Sequence, residues 1–203
     1  MSLTLVIIGI TVIVSWKAFN NTSMLNQFMF NAYQVQHQKQ WWRIFTHGLL
    51  HGDFAHLAFN MFALWMFGGL VEDYYRFYFA EKSQLYFLFL YIGGIVFSTF
   101  FSLQKHKNNP SYNALGASGA VSAIVFASIL LEPNQKIGIF IIPPIIPGWL
   151  FGIMYLAYSS YMDKKGTDNI GHDAHFWGAI YGFSLTALLR PQLVQELWNH
   201  IIN

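Results

Sequence analysis

The chain has 203 residues, of which 55% are hydrophobic, 19% aromatic and only 10% charged. Ordinary soluble domains carry roughly 25% charged residues, so a water-facing surface of that kind is excluded, and a net charge of +2 gives no ground for nucleic-acid binding. The absence of cysteine rules out disulfides and thiol chemistry.

Runs without Asp, Glu, Lys or Arg cover residues 54–71, 83–104, 108–131, 137–162 and 174–189. A helix needs about 20 apolar residues, within a range of about 17–25, to cross the hydrocarbon core. Three of the runs exceed that need and the other two lie close to it. The N-terminal stretch 3–19 has no preceding Lys or Arg and no small-residue cleavage site after it, so it reads as a retained span rather than a signal peptide. Spans are therefore predicted at 3–19, 55–74, 84–103, 118–131, 147–162 and 172–189. The expected fold class is all-α: a polytopic transmembrane helix bundle of six spans, forming a single domain over residues 1–203. The long connection 20–46 carries Phe28, Phe30, Tyr33, Trp41 and Trp42. A segment of that length and character is expected to be functional or to lie against the membrane surface. Counting Lys and Arg on the loops favours an external N-terminus.

Polar side chains within apolar spans mark functional sites by default, because burying them in lipid is costly. His51, His56, Asn60, Ser118 and His175 stand out. His56 opens the second span, Ser118 the fourth, and His175 lies one turn into the sixth. Alternating spans put the starts of even-numbered helices at one face, so these groups are predicted to converge at one depth. The fourth span is only about 21 Å long at 1.5 Å per residue, against a core of about 30 Å. Ser118 therefore starts below the surface, behind a polar loop that admits water. Gly116 and Gly119 flank the serine and permit a tight turn and close substrate approach. A helix N-terminus there offers N–H groups to a developing oxyanion. His175, Gly178 and Gly182 share one helix face, and the glycines let a neighbouring backbone approach. A neutral His175 imidazole can then accept the proton of Ser118. His56 and Asn60, spaced i, i+4, are candidate oxyanion donors. His47 and His51 form a second i, i+4 pair and raise metal or haem ligation. However, the glutamate of a zinc-protease motif is missing and the later charge-free runs offer no carboxylate, so no metal or other cofactor is expected.

His47-x3-His51-x4-His56-x3-Asn60, Gly68-Gly69-x2-Glu72, Gly116-x-Ser118-Gly119 and Ala174-His175-x2-Gly178-x3-Gly182 occur in an order that resembles the rhomboid family of intramembrane serine proteases. The likeness runs from Trp42-Arg43 through the sixth span. It implies a six-helix core, a Ser118–His175 dyad without an acidic third member, and an oxyanion hole from His56, Asn60 and the Ser118 backbone N–H. It also implies that His51, Trp42, Arg43 and Glu72 are structural hydrogen-bonders. The implied substrates are single-span or multi-span membrane proteins within the lipid bilayer, with no nucleic-acid partner; no oligomeric state follows. The implied localisation is a multi-pass protein of a bacterial inner membrane, with a cytoplasmic N-terminus and a site open to the outer face. Two positions depart from the family pattern. Ser122 stands where many members place an aromatic ring against the histidine, and Ala123 replaces a common glycine and is expected to loosen helix packing. The competing readings are a non-catalytic module that binds transmembrane clients, and a haem or metal carrier. Finally, Pro143, Pro144 and Pro147 before the fifth span and the polar loop 163–171 after it predict a moving gate.

Overall fold

The computed structural model describes residues 2–139, 142–166 and 171–202. After α1 (Leu3–Ala18), the connecting segment folds into three short helices, α2 (Thr22–Phe28), α3 (Ala32–Gln38) and α4 (Arg43–Thr46). The bundle continues with α5 (Phe54–Phe79), α6 (Ser83–His106), α7 (Ser118–Leu131), α8 (Gly148–Lys165), α9 (His172–Leu189) and α10 (Gln192–Ile202). Two small antiparallel pairings accompany the helices. β1 (Phe30–Asn31) pairs with β2 (Asn113–Ala114), and β3 (Lys136–Ile139) pairs with β4 (Ile142–Pro147).

The expected spans are found as helices, with α5, α6 and α8 extending beyond the predicted ends. By length and apolarity among the described residues, the helical run Phe54–His106 qualifies as membrane-crossing, whereas Leu3–Ala18 and Ser118–Leu131 are apolar but shorter. That run is two helices. Ala80, at φ 48° and ψ −116°, breaks the ladder, and Phe79 and Tyr86 then meet edge to face across the turn. Large apolar side chains such as Leu5, Trp65, Phe89, Ile153 and Leu188 face outward on all the long helices except α7. A surface of that kind suits lipid rather than water, and the fold is an all-α membrane helical fold.

The core is organised around α7, in which every residue from Gly119 to Leu131 is buried. Four glycines, three on its neighbours and Gly119 on α7 itself, explain how helices approach it from two sides. A Cβ on Gly178 of α9 would lie on the carbonyl oxygen of Gly119, and one on Gly182 would lie on that of Ala123. Opposite, a Cβ on Gly94 of α6 would come 2.9 Å from the methyl of Ala123 and 3.0 Å from the backbone of Ala120. Gly119 itself takes the Ser98 side chain of α6 where its own Cβ would be. Ala123 therefore does not loosen the packing. It is fully buried, and Gly94 makes room for its methyl. Three interior hydroxyls are satisfied within their own helices: Ser98 and Ser128 donate to carbonyls three residues back, and Thr99 donates to Ile95.

α1 is fixed to α5 by a charged cap. Glu72 accepts from Thr4 N (2.6 Å), Leu3 N (3.2 Å) and Ser2 Oγ (2.9 Å). A carboxylate at a helix N-terminus satisfies orphan donors and complements the positive end of the dipole. Nearby, Gly68 accommodates Thr4. The connection 20–46 is neither a bare loop nor a simple hairpin. Its Phe30, Ala32 and Val35 form an apolar cluster with Leu103 of α6, and Arg43, buried and bonded to the carbonyls of Asn26 and Met29 and to Gln40, ties its turns together.

Close backbone packing makes a sharp expectation. Alanine normally improves on helical glycine by about 0.5–1 kcal/mol, while overpacking a filled site costs about 1–3 kcal/mol. Gly182→Ala is therefore expected to lower the thermal midpoint in detergent. Gly69→Ala, where a new methyl would meet nothing within 4 Å, is expected to leave it unchanged or raise it. Equal stabilisation by both substitutions would contradict the α7–α9 contact.

Candidate active site

The residues named from the sequence converge. His56, Asn60, Gly116, Ser118, Gly119 and His175 line one cavity of about 1290 Å³. The arrangement follows from local structure. The α7 helix starts at Ser118, its half-buried tip, and its first intrahelical bond is Val121 N to Ala117 O. The N–H groups of Ser118, Gly119 and Ala120 thus precede the helical ladder and point out of the helix start. Gly116 stands at φ 118°, a conformation that side chains strongly disfavour, and the His56 ring lies where a Cβ would be, with Cε1 at 2.7 Å. His56 is thereby fixed beside the turn that presents Ser118. Asp53 caps α5 by accepting from His56 N at 2.8 Å, and one turn further on Asn60 is buried and donates to the His56 carbonyl at 2.9 Å. A primary amide has two donor hydrogens, and this bond uses one of them.

His175 stands one turn into α9, on the helix whose Gly178 rests on the Gly119 carbonyl. The Ala174 carbonyl lies 3.4 Å from where a Gly119 Cβ would be. The two backbones that carry the serine and the histidine are therefore in direct contact, and the two side chains open into one space. The ring of His175 has two ring neighbours. Tyr155 of α8 is roughly parallel to it, with centroids 6.2 Å apart and 30° between planes. His172 meets it edge on at 5.8 Å.

The segment before α5 holds the serine loop. His47 does not pair with His51, because the chain turns extended at Leu50 and sends the two rings in different directions. Thr99 Oγ1 donates to Ile95 O, so it accepts from His47 Nε2–H at 3.0 Å, while the His47 carbonyl accepts from Gly116 N at 3.0 Å. His51 is fully buried outside the helices. Ser15 Oγ donates to Leu49 O at 2.8 Å and so accepts from His51 Nδ1–H at 3.0 Å. That leaves His51 Nε2 to accept, more loosely at 3.5 Å, from Ala117 N–H. This tautomer requires a neutral ring, and burial, reinforced by the adjacent His56, pushes the His51 pKa down to about 3. Burial likewise pushes that of His47 down to about 4. Among the described residues, no group of three or more His, Asp or Glu side chains is placed to hold a metal ion.

Of the remaining residues, Glu72 and Arg43 are hydrogen-bonded as described, and Trp42, half-exposed, donates to Gln27 O at 3.4 Å. Sequence reasoning missed Ser15, Asp173 and Tyr155. Ser15 had a readable signal, since Thr4, Thr11 and Ser15 recur on one face of an apolar helix and all are buried. Asp173 is engaged by Ser102 Oγ (2.6 Å) and Ala174 N (2.8 Å) at the start of α9. No periodicity in α8 distinguishes Tyr155 from its aromatic neighbours.

Residues 38–192 match the family model described as Rhomboid domain. The chain is 30% identical over 204 residues to RHOMBOID-like protein 12, mitochondrial, of Arabidopsis thaliana, covering 93% of this chain and 58% of that protein. It is 33% identical over 175 residues to Rhomboid protease GluP of Bacillus subtilis, covering 83% of this chain and 30% of that one. With Rhomboid protease AarA of Providencia stuartii it shares 30% identity over 220 residues, 94% of this chain and 73% of the relative. The chain thus spans less than two thirds of the length of the first two of these relatives. Because they include mitochondrial and bacterial proteins, the expected localisation narrows no further than an integral membrane protein. On the family match and these identities together, the chain belongs to the rhomboid family.

Proposed function

We propose that the chain is an intramembrane serine endopeptidase that cleaves transmembrane segments of membrane proteins, with Ser118 as nucleophile and His175 as general base. The observation that carries the reading is the backbone contact of Gly119 with Gly178, which sets the serine and the histidine against one cavity. The six long helices, α1 and α5 to α9, are the six spans in this reading. Relatives named as rhomboid proteases support the activity class.

The mechanism follows from these positions. His175 takes the proton of Ser118 Oγ as the oxygen attacks the scissile carbonyl, and later gives a proton to the leaving amine. The negative charge that develops on the carbonyl oxygen meets the N–H groups at the start of α7, the His56 ring and the second N–H of Asn60. Such donors are fixed before the reaction begins and therefore cost no reorganisation when charge appears. Gly116 and Gly119 keep side chains out of the path of the substrate backbone. His51, Arg43 and Glu72 act on the scaffold alone, and no cofactor or metal takes part. A single-span or multi-span substrate would enter from the bilayer; nucleic acid has no role.

The entry path in this reading is the cleft between α5 and α8. Phe59 and Met66 of α5 and Phe151 and Tyr155 of α8 line the cavity, and α8 packs chiefly against α9, more lightly against α7. Gly148 and Gly152 form a small-residue pair on α8 that the sequence reading overlooked. Each would meet its neighbours only at 3.3–3.7 Å, so α8 does not approach α7 as closely as α9 does. Of the loop expected to move with it, residues 167–170 lie outside the described residues.

Three outcomes are expected. In purified protein, Ser118→Ala and His175→Ala each abolish cleavage of a labelled single-span substrate, and the double variant is no worse, because the two groups act as a unit. Substantial turnover by either single variant would reject the dyad, and a wild type that binds the substrate without cutting it would favour a non-catalytic client-binding module. Asn60→Ala and His56→Ala stay folded but lose kcat, by about 100–1,000-fold where no other donor compensates; wild-type rates in both would make them structural. Cysteines paired between α5 and α8, in a chain with none of its own, should block cleavage of a membrane-embedded substrate when cross-linked. Unchanged cleavage by the fully cross-linked enzyme would place entry elsewhere.

A further inference from the structure

Ser122 stands one turn after Ser118 on the same face of α7, and it presents a hydroxyl where many family members carry a ring. The hydroxyl is nearly fully buried and lies 2.7 Å from the phenol oxygen of Tyr155. The Tyr155 ring is in turn the roughly parallel neighbour of His175. It is wedged further by Phe126 of α7 (5.7 Å between centroids) and Phe151 of its own helix (5.8 Å). A chain of contacts therefore runs from the helix of the nucleophile, through a hydrogen bond, to a ring on α8, and from that ring to the base.

We propose that Tyr155, anchored by Ser122, is the positioning residue of His175, so that the base is oriented only while α8 is seated against α7. An imidazole turns about two side-chain bonds, and it must aim one nitrogen at the serine oxygen. A flat neighbour restricts that rotation. The hydrogen bond fixes the height and tilt of the phenol and prevents it from sliding along the histidine. The ring belongs to the helix that borders the substrate cleft. Displacement of α8 to admit a substrate thus withdraws the ring as well, and the base regains its orientation when the helix returns. Ser122 and Tyr155 exchange no proton with the substrate in this scheme. Their effect passes wholly through the geometry of His175, and the proposal rests on the reading of Ser118 and His175 as the dyad.

The test compares Tyr155→Phe, Tyr155→Leu, Ser122→Ala and the double Ser122→Ala/Tyr155→Phe, with Ser118→Ala in the same assay. The readouts are kcat and KM for a labelled single-span peptide in detergent, plus the thermal midpoint. Tyr155→Leu should lose about 10–100-fold in kcat with KM little changed, the scale on which misplacing a catalytic group acts. Tyr155→Phe keeps the ring and should recover most of that loss. Tyr155→Phe and Ser122→Ala should each cost about 2–10-fold in kcat, the worth of one neutral hydrogen bond. Their double variant should cost no more than either alone, because both remove the same bond. A change confined to KM would make Tyr155 a lining residue of the cleft and overturn the proposal. Additive effects of Ser122→Ala and Tyr155→Phe, or wild-type kcat in both, would do the same even if Tyr155→Leu failed to fold. Residual activity in Ser118→Ala would instead reject the dyad, whereas a dead Ser118→Ala beside a fully active Tyr155→Leu would reject only the role of Tyr155.

Discussion

The structure depends on how closely α7 and α9 approach one another. Helices in lipid gain little from hiding apolar side chains, since the tails outside are as apolar as the interior. Association must come from dense packing, and the densest packing available is backbone against backbone. Gly178 over Gly119 and Gly182 over Ala123 provide it along two successive turns. The same contact lays the turn that carries His175 over the tip that carries Ser118. One geometric cause thus packs the two helices and brings the two side chains to one cavity, and a single added methyl would disturb both.

A second constraint acts on the turn before Ser118. Its backbone would be exposed donors in a nonpolar setting if nothing received them, and unsatisfied polar groups there are costly. The 47–51 segment receives two of them, through the His47 carbonyl and the His51 ring. His51 leans in turn on Ser15 of α1, and α1 is held to α5 through Glu72. The first helix and the 47–51 segment are thus part of the scaffold of the serine loop. Three histidines near one another serve different ends: His47 and His51 hold backbone, and His56 faces the cavity.

Much of this was legible in the sequence, for physical reasons. Apolar runs of membrane length announce helices strongly, and Gly-x-Ser-Gly at the start of one of them marks a tight turn with a serine at its tip. The face shared by His175, Gly178 and Gly182 anticipates the contact with α7. What escaped were interactions whose partners are remote and whose residue types are ordinary. The hairpin of β3 and β4 lay hidden in an apolar stretch that reads as the approach to a helix. Ser122 read as a missing ring, because one chain position cannot show that another helix brings a ring to the same place. Ala123 read as a flaw for a similar reason, since the compensating Gly94 lies on α6.

The central claim is that the helix contact makes Ser118 a nucleophile activated by His175. A fluorophosphonate that reacts with activated serines, followed by mass-spectrometric mapping of the adduct, tests it without any knowledge of the natural substrate. The account predicts one adduct, on Ser118, that is lost in His175→Ala although that variant remains folded. An adduct on another serine, or equal labelling of Ser118 with and without His175, would contradict it.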